Sequence, residues 1–291
     1  MVSRGLIKIK AEIYLLGIVV IWGSTFAVVK EVLEQITPFT FLAYRFLVAV
    51  LVLGLIFGRK IKSLNQITLK KGSLIGIFLF LSYAFQTVGL KYTTATKAGF
   101  ITGLSVVLVP PLAHFFTQEK ISRNSTVGVV LAVIGLGFLN YNYDYFNFNR
   151  GDFLVLLGAL SFALHLITVD RYTKKLDYVL LVIVQLATVW ILSSLLALFW
   201  EKPGLSLECY SIQVWWSIIW TGVLATALAF YLQNRFQRYS TATRTAIIFS
   251  GEPLFGAIFA HLLLGEEVGL LAGVGGLMII LGMIISQKEN R

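Results

Sequence analysis

Two ionisable residues stand inside apolar stretches of this chain, where charge is expensive. Glu252 lies about nine residues into the run 242–264, and Arg45 lies seven residues past Pro38 in the run 38–58. A charge at the centre of a bilayer costs roughly 2.5–3.5 kcal/mol on insertion scales, so such residues mark ion or substrate paths by default. Glu252 suits a coupling or substrate-binding acid that exchanges a proton. It also suits a structural acid bonded to backbone freed by Pro253, since proline removes a helix hydrogen bond. Arg45, about 10 Å below the surface at 1.5 Å per residue, suits an anchor for an anionic group or a partner for Glu252. A snorkelling arginine that ties two helices together is the other reading.

Uncharged groups of the same kind recur in the apolar runs. Tyr83 and Gln86 are spaced i, i+3, as are Tyr231 and Asn234, so each pair shares a helix face. With Trp22, Ser24, Thr25 and Thr102 they give a few polar groups on an aromatic-rich wall, the pattern of a small-molecule pocket. Interhelical hydrogen bonding uses the same residue types. His165, near the middle of its run, adds a group that titrates near neutrality. His165-x4-Asp170 matches the H-x4-D pattern of membrane acyltransferases. His114-x4-Glu119 and His261-x4-Glu266 have the same spacing, fall on opposite membrane faces, and cannot share one catalytic site. Residues i and i+5 also share a helix face poorly.

These residues need a membrane bundle to position them. The 291 residues are 57% hydrophobic and only 13% charged, about half the charge of a soluble domain. Ten apolar segments can be counted, near 11–33, 38–58, 70–91, 95–117, 123–140, 151–171, 177–200, 210–234, 242–264 and 267–287. The loops between them leave no room for a motor domain, and no phosphate-binding G-x-x-x-x-G-K-[ST] motif occurs. The glycines at 269, 273, 275 and 276 read as close helix packing. The basic N-terminus before the first run reads as a retained helix rather than a cleaved leader. A single cysteine, Cys209, excludes an intrachain disulfide and a cysteine metal cluster. No metal site and no cofactor is expected.

Ten spans put both termini on one side. Eighteen of the 24 lysines and arginines then fall on that side, five fall on the other, and Arg45 lies within a span. The positive-inside rule makes that side the cytoplasm. The net charge of +10 is thereby explained by loop charge, without a nucleic-acid partner.

The chain also repeats itself. YTTATKAGFI at 92–101 returns as YSTATRTAII at 239–248, and residues 92–137 align without a gap to 239–284 with eleven identical pairs. Gln86 and Gln233 extend the match. Each repeat holds five spans, an odd number, so the second copy enters the membrane inverted. Inverted repeats are a signature of secondary transporters with a midplane site. The expected fold is therefore an all-α polytopic membrane protein of ten transmembrane helices in two inverted five-helix repeats, 1–145 and 146–291. The linking loop 141–150 carries aromatics suited to a membrane interface. Lys97 and Arg244 become pseudo-symmetric partners, one at each mouth, as gates or as interfacial anchors. With an offset of 140, His165 and Thr25 face the same region.

Trp22-Gly23-Ser24 in span 1, Arg45 in span 2, and Glu252-Pro253 followed by Leu264-Gly265-Glu266 resemble the EamA-like branch of the drug/metabolite transporter superfamily, over nearly the whole chain. Span 4 departs from that pattern, with Pro110-Pro111 and with Gln118 where span 9 has Gly265. The resemblance implies a central cavity lined mainly by spans 1, 3, 4, 6, 8 and 9. It also implies carriage of small organic solutes such as amino acids or other amphipathic metabolites. The reading reached is a secondary active transporter, an exporter or exchanger working by alternating access in a prokaryotic cytoplasmic membrane, as a monomer or homodimer. The rival is a membrane-embedded transferase acting on lipid, which would need a polar catalytic cluster at one interface.

Overall fold

The computed structural model describes residues 2–139, 148–201, 210–264 and 269–287. Most of the aromatic linking loop, Cys209 and the Gly265-Glu266 pair lie outside the described residues. Among the described residues every regular element is helical. In chain order they are α1 (Val2–Gly23), α2 (Thr25–Val32), α3 (Pro38–Ile61), α4 (Gln66–Leu90), α5 (Ala95–Gly103), α6 (Ser105–Thr117) and α7 (Arg123–Leu139). They continue as α8 (Arg150–Thr173), α9 (Tyr178–Leu196), α10 (Ile212–Gly222), α11 (Ala229–Gln237), α12 (Ala242–Phe249), α13 (Glu252–Leu264) and α14 (Leu270–Gln287).

Eight stretches among the described residues are long and apolar enough to cross a membrane. Two of the ten segments read from sequence take other forms. The segment near 123–140 is the 17-residue apolar helix α7, about 26 Å long. The segment 242–264 is two helices, α12 and α13, meeting at Ser250-Gly251. The surface is apolar: Leu55, Leu270, Trp200 and Phe199 are each more than 75% exposed. The interior holds Arg45, His165, Gln185, Gln233 and Asn234. That inversion of the soluble pattern suits hydrocarbon outside and a polar path within.

Local chemistry sets the helix starts. Pro38 occupies the first turn of α3, where its missing N–H costs nothing. Asn149 and Asp152 form a capping box on α8. The doubled decamers serve one purpose at both sites: Thr94 accepts the N–H of Lys97 to cap α5, and Thr241 accepts the N–H of Arg244 to cap α12. The α9 start is capped by Asp177, which also binds Lys60 at 2.8 Å. Burial acts to raise that carboxyl, but Lys60 and the Val179 N–H outweigh it and hold it below its usual range.

Helices α7 and α14 pack antiparallel along glycines. A Cβ on Gly275 would stand 2.4 Å from the Gly135 carbonyl oxygen, and one on Gly128 would stand 2.8 Å from that of Gly282. Gly276 meets only the movable end of the Leu254 side chain, and Gly273 meets nothing within 4 Å. The glycine-rich segments therefore pack on one another within one chain. Gly275→Ala is expected to lower stability by about 1–3 kcal/mol through overpacking, while Gly273→Ala does not. Thermal unfolding in detergent reads the difference, and equal melting of the two variants would refute the packing assignment.

Candidate functional site

Helix irregularities gather around one cavity. The chain breaks at Ser24 between α1 and α2, and at Leu104 between α5 and α6. Helices α12 and α13 are separated by a break at Ser250-Gly251, directly before Glu252, and between α10 and α11 the backbone widens to a π turn, Val223–Leu228. Irregular backbone at membrane depth is tolerated where it is buried in protein or lines a cavity.

The cavity holds about 580 Å³ of space between atoms, open solvent at its mouth included. Its wall comprises Trp22, Thr25, Phe26 and Val29 from the first span, Arg45 from α3, and Ser82, Tyr83, Gln86, Thr87 and Leu90 from α4. Thr102, Phe162 and Glu252 complete it. The α4 residues belong to its last turns, so the cavity occupies the half of the bundle toward the α4–α5 turn.

Each functional side chain is placed by a specific contact. Arg45 donates from Nε to Thr226 Oγ1 at 2.8 Å and from Nη2 to Tyr83 Oη at 3.3 Å, with its guanidinium 4.8 Å from the centre of the Tyr83 ring. The ring face adds a cation–π attraction. Thr226 lies in the π turn and donates to the Thr221 carbonyl five residues back. The same turn gives up the Ala225 carbonyl to Trp22 Nε1, at 2.8 Å. Gly222 permits this: a Cβ there would stand 2.9 Å from the Arg45 carbonyl oxygen. One turn along α4 from Tyr83, Gln86 Nε2 donates to Thr102 Oγ1 at 2.9 Å, joining α4 to α5. Helix α1 crosses α13 at Gly23, where a Cβ would be 2.9 Å from the Glu252 carbonyl oxygen, and this sets Trp22 beside Glu252.

Arg45 and Glu252 line the same space without forming an ion pair among the described residues. The cavity thus offers a cation and a carboxylate separately, between aromatic faces, with an amide and hydroxyls to one side. That set binds a solute carrying both an anionic and a cationic or hydrogen-bonding group on an apolar frame. Thr226→Val is expected to leave the Arg45 Nε–H unpaired and to cost about 1.5–3 kcal/mol, the range for hydrogen bonds to charged groups. A melting temperature equal to wild type would show that the contact contributes nothing.

The remaining candidates lie elsewhere. Ser24 turns back to donate to the Ile21 carbonyl. Tyr231 stacks on Phe57 and accepts from Arg235, away from the cavity. Asn234 and His165 are fully buried. His165 sits behind Phe162, its Nδ1 3.5 Å from the Ile75 carbonyl and its Nε2 3.4 Å from Gln233 Nε2. Asp170 pairs with Lys174 at 2.6 Å, so His165 and Asp170 engage separate partners. Lys97 Nζ lies 3.9 Å from the buried carboxylate of Asp152, and Arg244 is half-buried at the start of α12. Thr226 escaped the sequence reading, since nothing in a Thr-Gly-Val-Leu-Ala-Thr string announces a π turn.

The model of the EamA-like transporter family matches this chain twice, over residues 9–141 and 149–287. The chain belongs to that family. An uncharacterized transporter of Archaeoglobus fulgidus is 35% identical over 97% of this chain and 87% of its own length. The uncharacterized transporter YyaM of Bacillus subtilis is 25% identical over 96% of this chain and 94% of its own. A solved crystal structure superposes with a TM-score of 0.79, at 17% identity, over 96% of both chains, which speaks for the fold alone. With its apolar helices, this EamA-like chain is an integral membrane protein that meets lipid, and its relatives are named as transporters.

Proposed function

We propose that this EamA-like protein is a secondary active transporter that moves small amphipathic organic solutes, amino acids or related metabolites, as an exporter or exchanger. The observation that carries the reading is the cavity in which Arg45 and Glu252 face a common space walled by Trp22, Tyr83, Gln86 and Thr102. The side-chain carboxylate of Glu252 accepts no hydrogen bond among the described residues, which leaves it free for a solute amine or a proton. Counterflow of labelled amino acids and related zwitterions into proteoliposomes tests this. At least one is expected to exchange, and failure across a broad panel would overturn the reading.

Alternating access follows if the halves 1–145 and 146–291 are inverted repeats. The glycine seam supports that relation. Gly128 is equivalent to Gly275 in the sequence repeat, and Gly135 to Gly282. The contacts join Gly128 to Gly282 and Gly135 to Gly275, so exchanging the halves maps one contact onto the other. The two matches to the family model divide the chain at the same place. We read both termini as cytoplasmic, in a prokaryotic cytoplasmic membrane; the charge bias supports the sidedness, and the cavity then faces outward. Lys97 and Arg244 stand at opposite mouths. As gates, Lys97→Gln and Arg244→Gln should each slow entry from one side only; symmetric or absent defects would make them interfacial anchors. A monomer or homodimer fits equally.

A further inference from the structure

Below the cavity lies a second polar layer that the transport site does not use. Between the two is an aromatic floor. Trp22 packs edge-on to Phe162 and Phe249 and tilted against Phe230, with ring centroids 5.1–5.9 Å apart. Beneath it His165 meets Gln233, Gln233 Nε2 donates to Gln237 Oε1 at 3.0 Å, and Gln237 Nε2 donates to the Leu166 carbonyl at 2.7 Å. Asn234 on α11 and Thr243 on α12 are fully buried, on two helices that both pack against α8.

This layer is incompletely satisfied. Gln233 Oε1, Asn234 Oδ1 and Thr243 Oγ1 are each buried without a hydrogen-bond partner. Buried polar atoms nearly always have one, and an orphan in a membrane interior costs more than in water-facing protein. Gln185 and Ser193 on α9 carry orphans too. The three on α11 and α12, however, sit on helices that both pack against α1 and α8, which bear the aromatic floor. An occupant in another state of the molecule would satisfy them. The repeat says which. Gln86 of the first half lines the open cavity, and its counterpart in the second half is Gln233.

We infer that Gln233, Asn234 and Thr243 line the closed half of the solute path, a second, uncharged binding layer that opens toward the side bearing the α8–α9 and α11–α12 turns. The inference rests on the transporter reading and names the residues that hydrogen-bond the departing solute. In the inward-facing state the aromatic floor parts and water or solute satisfies the three orphan atoms. The layer offers amide, hydroxyl and imidazole groups and no fixed charge. It therefore takes a solute's donors and acceptors without holding its charge, which favours release.

The test is thiol accessibility in the full-length chain with Cys209→Ser. Asn234→Cys and Thr243→Cys are each treated with a membrane-impermeant cationic thiosulfonate in inside-out and right-side-out vesicles. A minor state populated at about 0.1–10% gives labelling at that fraction of the rate of an exposed thiol. Labelling is expected from the cytoplasmic side only. Ser286→Cys, equally buried in the α7–α14 seam, stays unlabelled. Both cysteines as inert as Ser286→Cys, in vesicles that still carry out counterflow, would overturn the inference and leave the transport reading intact. Equal labelling from both sides would also overturn it. A wild-type chain that carries no solute would count against the transport reading, and the labelling pattern would still decide the path.

Discussion

Glutamine in place of Glu252 is expected to abolish solute accumulation driven by a pH gradient, while solute exchange continues with weakened affinity. The substitution keeps the side chain's size and removes its exchangeable proton. Glu252 opens α13 immediately after the break at Ser250-Gly251 and faces the cavity with Arg45 across from it. A carboxylate at this depth is costly, and no hydrogen bond within the described residues offsets that cost. Proton exchange with a passing solute provides a reason to keep it. A one-unit pH gradient is worth about 1.4 kcal/mol per proton, or about tenfold accumulation. Proteoliposomes with Glu252→Gln should therefore fall from about tenfold accumulation to none while counterflow continues. Full accumulation by the variant would remove Glu252 from coupling and leave it a structural acid beside Pro253.

Alanine at Gly23 is expected to damage both stability and transport. Its Cβ would stand 2.8 Å from Phe255 Cβ and 2.9 Å from both the Glu252 carbonyl oxygen and the Gly256 nitrogen. Two of these atoms belong to helix backbone and cannot turn aside. Overpacking of this kind costs about 1–3 kcal/mol. Separation of α1 from α13 also moves Trp22 away from Glu252 and strains its bond to the Ala225 carbonyl. If the same energy is lost from binding, Kd rises about 5- to 140-fold, at 1.4 kcal/mol per tenfold. Gly17→Ala, on the same helix with nothing within 4 Å, is the control. It should leave transport unchanged and gain up to about 1 kcal/mol from helix propensity. Equal behaviour of the two variants in melting and counterflow would show that the α1–α13 crossing does not position the site.

Depth in the membrane was readable from the chain, and azimuth was not. Hydropathy places Arg45, Glu252, His165 and Asn234 inside the bundle, because a charge or amide in an apolar run can be located by counting residues. The i, i+3 rule puts Tyr83 and Gln86 on one face, and both line the cavity. The same rule gives Tyr231 and Asn234 a common face, yet Tyr231 meets Phe57 and Arg235 while Asn234 is sealed in the interior. Rotation of a helix about its axis is set by its neighbours, and residues i and i+3 still differ by about 60° around that axis. Thr25 and His165 were placed in one region by the repeat. Thr25 lines the cavity, whereas His165 lies behind Phe162, one aromatic layer lower. Thr226 needed the π turn to be visible at all.

The repeat was legible because its polar residues do local work. Threonine caps at 94 and 241 and glycine contacts along α7 and α14 tolerate few other residue types. The apolar positions between them accept any side chain of suitable size, and there the two stretches match poorly.

Protection of a cavity thiol by solute tests the central claim most directly. Thr102→Cys in a Cys209→Ser background places a thiol on the cavity wall with little change in volume. A solute carried in counterflow should slow its alkylation in a saturable manner, with half-protection near the concentration that half-saturates transport. Saturable counterflow with no protection at any concentration would place the solute elsewhere and contradict the assignment of this cavity.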